Sequence, residues 1–247
     1  MTTVKPLLYY VNGSIPSWRV QMALFEKNVD FDQIRLKVMS HPKETRTPEF
    51  LAINHRGKTP VLVDGETRIN ESIAILHYIE DYLGPARPLL PPLTERSNRA
   101  RVLARIQETE NLHIAYDNLE DAHFEAANAG HVLSQETRAA LVQMVYEELD
   151  FWEKYASEAD YIAYSDFTLA DAAFFPFLGY MLRRGFEWQD SRWPHLKRYY
   201  EKVWERDCAQ RAQPEGWNGR GRVNVFKGTR GGAQPIYEQH ERPEAAR

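Results

Sequence analysis

Short apolar runs punctuated by glycine and proline occupy roughly the first eighty residues, and helical spacing takes over beyond them. Residues 7–11, Leu-Leu-Tyr-Tyr-Val, stop at Asn12-Gly13, which predicts a buried strand and a tight turn. Past Pro16, a residue favoured in a first helical turn, Val20, Ala23 and Leu24 recur at helical spacing within residues 18–27. Ile34, Leu36 and Val38 alternate with Arg35 and Lys37, the period of a second strand. Residues 60–63 and 67–69 flank Asp64-Gly65 and read as an antiparallel pair around a turn. After Asn70-Glu71-Ser72, the stripe Ile75, Leu76, Ile79 and Leu83 predicts a helix. The order β-α-β-irregular-β-β-α specifies an α/β unit.

The pattern breaks at Pro85, Pro88, Pro91 and Pro92, a stretch that cannot be helical and offers little to pack, so residues 85–93 read as a linker. Strand signals nearly vanish over residues 94–213, where helix formers with amphipathic spacing predict an all-α domain. Within it, Thr168 and Asp171 have the spacing of a capping box before the apolar residues 172–178, a role in folding rather than chemistry. Residues 214–247 form a tail with Gly219-Arg220-Gly221-Arg222 and Arg230-Gly231-Gly232. The few basic side chains of residues 220–230, with one aromatic, Phe226, make a poor RNA-binding tract, so a surface-lying extended segment is expected.

Composition narrows the classes. With 247 residues the chain supports one large domain or two modest ones, and 43% hydrophobic with 27% charged residues is ordinary for a globular protein. No stretch reaches the ~18 apolar residues of a membrane helix, and the N-terminus lacks a leader's apolar core; no membrane partner and a cytoplasmic location are expected. The lone Cys208 suits a reducing compartment and reads as an incidental thiol. A net charge of -4 gives no broad attraction for nucleic acid. Dinucleotide, P-loop and HExxH motifs are missing, and the 8 histidines show no metal-ligand spacing, so no metal is expected.

Three places can carry chemistry. Ser14 lies between the first strand and helix, where free backbone N–H groups attract anions, although a plain turn or cap serine would look the same. Lys58-Thr59-Pro60 stands at a strand entrance, where a cis Thr59-Pro60 bond would leave the Thr59 backbone free to pair with an extended ligand. Glu71-Ser72 opens a helix, where N–H groups and a hydroxyl can hold a carboxylate while Glu71 meets an ammonium. Those are the demands of an amino-acid headgroup, and equally those of a helix cap.

Together the pieces resemble the cytosolic glutathione transferases. The resemblance rests on residues 7–14, on Ser14-Ile-Pro-Ser-Trp-Arg-Val20, on Asn54-His-Arg-Gly-Lys-Thr-Pro-Val-Leu62, on Asn70-Glu-Ser72 with the helix through Tyr82, and on Phe167-Thr-Leu-Ala-Asp171. It covers about residues 5–215. The Ser-x-x-x-Trp-Arg-Val pattern is most similar to serine-type classes, rho first, with tau and zeta features.

This resemblance implies a thioredoxin-like glutathione-binding domain over residues 1–84, a helical domain that walls an apolar electrophile, and a homodimer. By position it implies Ser14 as the hydroxyl facing the glutathione sulfur, with Tyr9 and Tyr10 as rival donors. It further implies Thr59, before Pro60, as the backbone clamp, Glu71 and Ser72 as the γ-glutamyl grip, and Lys58 and Arg46 as contacts to the glycine carboxylate. His113, Tyr116 and Trp217 are candidates for the electrophile pocket, each with a core role as the alternative. Conjugation of glutathione, a co-substrate, to hydrophobic electrophiles is the implied activity. Glutathione-dependent ether cleavage or dehalogenation, or a non-catalytic scaffold, are the alternatives. Ile15-Pro16 stand where the zeta isomerases continue a Ser-Ser-Cys run, which argues against maleylacetoacetate isomerisation.

Overall fold

The computed structural model describes residues 5–217 and 223–228. Its sheet contains β1 (Leu7–Tyr10), β2 (Asp32–Arg35), β3 (Val61–Asp64) and β4 (Thr67–Asn70), in the spatial order β2-β1-β3-β4. β1 runs parallel to β2, pairing Leu8 with Gln33, and antiparallel to β3, pairing Leu8 with Leu62. β3 and β4 form the hairpin around Gly65, whose φ of 58° suits the turn. The parallel β1/β2 pair needs a crossover, which α1 (Ile15–Glu26) provides. α2 (Pro48–Ile53), preceded by a 3₁₀ turn at Glu44–Arg46, fills the irregular stretch, and α3 (Ser72–Tyr82) completes the unit.

Two boundaries move from the sequence reading. β2 begins and ends earlier than the Ile34, Leu36, Val38 alternation implies, and all four of its residues are exposed, as befits an edge strand with one neighbour. α1 begins at Ile15 because Ser14 caps it, accepting the Ser17 N–H at 3.4 Å.

The remaining helices are α4 (Arg96–Asn128), α5 (Gln135–Glu158), α6 (Leu169–Arg183), α7 (Pro194–Trp204) and α8 (Asp207–Ala212). α6 is apolar nearly all round and lies buried among α1, α4 and α7. Its capping box forms as expected: Asp171 accepts the Thr168 N–H at 2.7 Å, and Thr168 Oγ1 accepts the Ala170 N–H at 3.3 Å. The other Asp171 oxygen takes the Ile162 N–H at 2.9 Å, and burial pushes this carboxyl up to about 6. α1 is sandwiched between the sheet domain's α3 and the helical domain's α6 and α8, which is why Trp18, Val20, Met22 and Leu24 are all buried. One apolar core therefore runs across both halves.

The proline-rich stretch packs more than its composition implies. Leu89 and Leu90 are buried, and their N–H groups donate to the Glu80 carboxylate at 2.9 and 3.1 Å. Glu80 also pairs with Lys27 at 2.7 Å, and the Leu89 carbonyl accepts the Leu169 N–H that opens α6. The connection is thus a buried latch between the halves. The tail likewise departs from a surface-lying segment: Val225 and Phe226 are buried, with the Val225 N–H on the Arg184 carbonyl and the Arg138 guanidinium on the Val225 carbonyl at 2.6 Å. The tracts at residues 219–222 and 230–232 lie outside the described residues.

Candidate active site

The turn between β1 and α1 is built by Val11, Asn12, Gly13 and Ser14, closed by a Ser14 N–H to Val11 carbonyl bond of 3.1 Å. Gly13 stands at the third position with φ of 80°, the pattern of a type II turn. Ser17 Oγ accepts the Val11 N–H at 3.3 Å and ties the strand end to the helix. Ser14 is half-buried at the N-cap of α1, where the helix's positive end favours an anion. Its oxygen takes the Ser17 N–H, and a serine hydroxyl used as an acceptor still has a proton to give. Tyr9 and Tyr10 lie on the strand before this turn; the Tyr9 ring packs on Phe50 at 5.8 Å, and Tyr10 packs against the core.

Across the sheet, Thr59-Pro60 is a cis peptide bond, and Thr59 is half-buried just ahead of β3. Asn54 shapes this approach, donating to the Lys58 carbonyl at 2.8 Å and accepting the Arg56 N–H at 3.1 Å. Lys58 is exposed; Arg46 is exposed too and leans over Gly57, its Nη1 lying 2.9 Å from where a Cβ would stand. The two basic side chains therefore flank one loop. Glu71 caps α3 with φ of 66° and ψ of 112°, a conformation that costs a non-glycine residue about 1–3 kcal/mol and clusters at ligand sites. Ser72, buried at the first position of α3, accepts a hydrogen bond from Arg19 at 3.3 Å.

Arg19 ties the start of α3 to the helical half, a role the sequence reading did not assign. Buried on α1, it also pairs with Glu110 of α4 at 2.9 Å and lies over the Phe177 ring at 5.3 Å. Burial pulls the guanidinium below its ordinary value, against the pull of Glu110. Glu110 continues to His113 Nδ1 at 3.3 Å, and His113 Nε2 reaches Asp117 at 3.2 Å. The bond to His113, helped by Arg19, draws the Glu110 carboxyl down to about 2, while Asp117 and Glu110 hold the imidazole up at about 9. His113 is therefore a cation in an ion-pair row, not a free base. Tyr116 is fully buried, its ring 5.7 Å from Tyr180 and 6.2 Å from Phe226, so it belongs to the core. Trp217 is half-buried beside Gly13. Cys208 is buried on α8, and desolvation pushes its thiol up, away from reactivity.

A cavity of about 430 Å³ opens at the C-terminal ends of β1 and β2, walled by Val11, Leu36, Val38 and Met39 with Asn12, Arg35, Lys37 and Ser40. It is large enough for a small molecule, and it adjoins the turn that carries Ser14. The sequence reading took the strand-two residues for structure only. Among the described residues no helix is long and apolar enough to cross a membrane.

A mixed four-stranded α/β domain of thioredoxin-like order, leaning on an all-α domain across a shared core, is the glutathione transferase architecture. Comparison with known proteins agrees. Residues 5–81 match the family described as "Glutathione S-transferase, N-terminal domain", and residues 135–202 match "Glutathione S-transferase, C-terminal domain". "Glutathione S-transferase F10" of Arabidopsis thaliana is 32% identical over 67% of this chain and 76% of its own. "Glutathione S-transferase A" of Pleuronectes platessa is 28% identical over 85% of this chain and 92% of its own. Among solved structures, a glutathione S-transferase from the Antarctic clam Laternula elliptica superposes with a TM-score of 0.80 at 29% identity, over 90% of this chain and 99% of that one. The chain belongs to the glutathione S-transferase family and is a glutathione-dependent transferase.

Proposed function

We propose that this chain is a serine-type glutathione transferase, rho-like, in which Ser14 donates its hydroxyl proton to the sulfur of bound glutathione. The observation that carries the reading is the place of Ser14: N-cap of α1, half-buried, its oxygen already anchored by the Ser17 N–H. A free thiol of pKa near 8.5 is only about 3% ionised at pH 7, and the thiolate is the nucleophile. Lowering that value by about two decades, worth roughly 2.7 kcal/mol, makes the anion the majority form. A hydroxyl donor beside a helix N-terminus supplies such stabilisation. Ser14 forms no covalent intermediate, and no histidine base is required.

Around the sulfur, the Thr59 backbone ahead of Pro60 pairs with the cysteinyl unit, and Glu71 with Ser72 holds the γ-glutamyl headgroup. Lys58 and Arg46, flanking one loop, face the glycine carboxylate. The thiolate attacks a small hydrophobic electrophile held beside the Ser14 turn by Trp217, the apolar cavity walls and, at its helical side, His113. The enzyme works in the cytoplasm as a homodimer.

Ser14→Ala tests the reading. Conjugation to 1-chloro-2,4-dinitrobenzene is expected to slow by about 10²-fold while glutathione binding, followed by calorimetry, changes by no more than a few-fold. An undiminished rate would remove Ser14 from the mechanism and turn attention to Tyr9→Phe and Tyr10→Phe.

A further inference from the structure

The Ser14 turn is gripped by a segment far along the chain. Pro214, Glu215, Gly216 and Trp217 form a second turn, closed by the Trp217 N–H on the Pro214 carbonyl at 3.0 Å, with Gly216 at φ of 76° in the third position. The two turns dock face to face. Asn12 Nδ2 donates to the Glu215 carbonyl at 3.0 Å, and the Glu215 N–H donates to Asn12 Oδ1 at 2.8 Å, across 203 residues of sequence. The Glu215 carboxylate pairs with Arg35 at 2.5 Å, at the end of the neighbouring strand.

Trp217 locks the pair to the helical half. Its indole lies over Gly13 so closely that a Cβ there would be 2.3 Å from the ring. It meets Trp18 edge-on at 5.8 Å, Tyr180 at 5.5 Å and the Arg183 guanidinium at 4.5 Å. Gln213 donates to the Trp217 carbonyl. The turn's internal bonds, Ser14 to Val11 and Val11 to Ser17, determine its shape. The contacts from residues 215 and 217 determine where that shape stands relative to α6.

We propose that this clasp holds the Ser14 hydroxyl in register with the bound sulfur, making Asn12, Glu215 and Trp217 positioning residues for thiolate formation. The proposal rests on Ser14 being the donor. Misplacing a reacting group by about 1 Å can cost up to 10²-fold in rate, so loosening a turn that keeps its internal bonds should cost less.

The test compares Asn12→Ala, Trp217→Ala and Trp217→Phe with Ser14→Ala. Each is assayed for kcat and KM with 1-chloro-2,4-dinitrobenzene, for the titration of the bound glutathione thiolate by its ultraviolet absorbance, and for Tm. Asn12→Ala and Trp217→Ala are expected to lower kcat about tenfold and to move the thiolate titration up by about one pH unit, with the KM for glutathione within about threefold. Trp217→Phe keeps an aromatic face on Gly13 and is expected to recover most of the rate. Asn12 is surface-facing, so its variant decides the matter should Trp217→Ala fail to fold. Wild-type kcat and thiolate titration in Asn12→Ala, with Ser14→Ala impaired, overturns the clasp alone. An unimpaired Ser14→Ala overturns the donor reading and the clasp with it.

Discussion

Replacing His113 with glutamine keeps the size and hydrogen-bonding capacity of the side chain and removes its charge. In the wild-type chain the imidazole lies 3.3 Å from Glu110 and 3.2 Å from Asp117, and these carboxylates hold it protonated up to about 9 from an ordinary 6.5. At 1.36 kcal/mol per decade of proton affinity, the ceiling on this stabilisation is about 3.4 kcal/mol. Glu110 and Asp117 are 43% and 52% exposed, so solvent screening reduces the expected figure to about 1–2 kcal/mol. The depressed Glu110 carboxyl reports part of the same interaction and adds nothing separate. The sign follows from linkage. A histidine whose folded pKa exceeds its unfolded one stabilises fully below 6.5, and that contribution is lost as pH rises through about 9. His113→Gln should therefore be less stable than the wild type by about 1–2 kcal/mol at pH 6 and by much less at pH 10. Urea unfolding at the two pH values measures this, and NMR titration of the ring nitrogens locates the pKa directly. A stability difference that does not change with pH, or an imidazole titrating near 6.5, would refute the ion-pair row.

Two further outcomes are expected. Glu80→Ala strips a partner from buried Lys27 and the acceptor from the Leu89 and Leu90 N–H groups. It should cost about 3–5 kcal/mol, read as a drop in urea midpoint, and a loss under 1 kcal/mol would mean the latch is not closed in solution. Arg19→Met removes both the donor to Ser72 and the ion-pair partner of Glu110 while keeping the side chain's bulk over Phe177. Losing the Ser72 bond, about 0.5–1.5 kcal/mol, should raise the KM for glutathione about two- to tenfold with kcat nearly unchanged, while the lost Glu110 pair is read separately as a lower urea midpoint. Equal loss in kcat would place Arg19 in the chemical step instead.

Much of the fold was legible because its signals are local. Short apolar runs at residues 7–11 and 60–63, the Asp64-Gly65 hairpin, the Ile75, Leu76, Ile79 stripe and the Thr168 to Asp171 box each act within a few residues. The proposed site residues at 14, 59, 71 and 72 could be nominated by type and position, since each stands where a strand or helix begins. The φ of Glu71 could not, because a local sequence does not reveal which backbone strain the surrounding structure will support.

Sequence alone determined the strand and helix order of the α/β unit apart from α2, which faces of these elements are apolar, and where Ser14 and Glu71-Ser72 enter the unit at helix starts. Only the tertiary structure decided what covers those faces. It joined Arg19 to Glu110 across 91 residues and Asn12 to Glu215 across 203. It also buried Leu89, Leu90, Val225 and Phe226 inside segments whose proline and glycine content pointed to the surface. The physical reason is that periodicity records how a segment turns its own side chains, whereas an ion pair or a docked turn depends on which distant segment arrives opposite, and burial is a property of the pair.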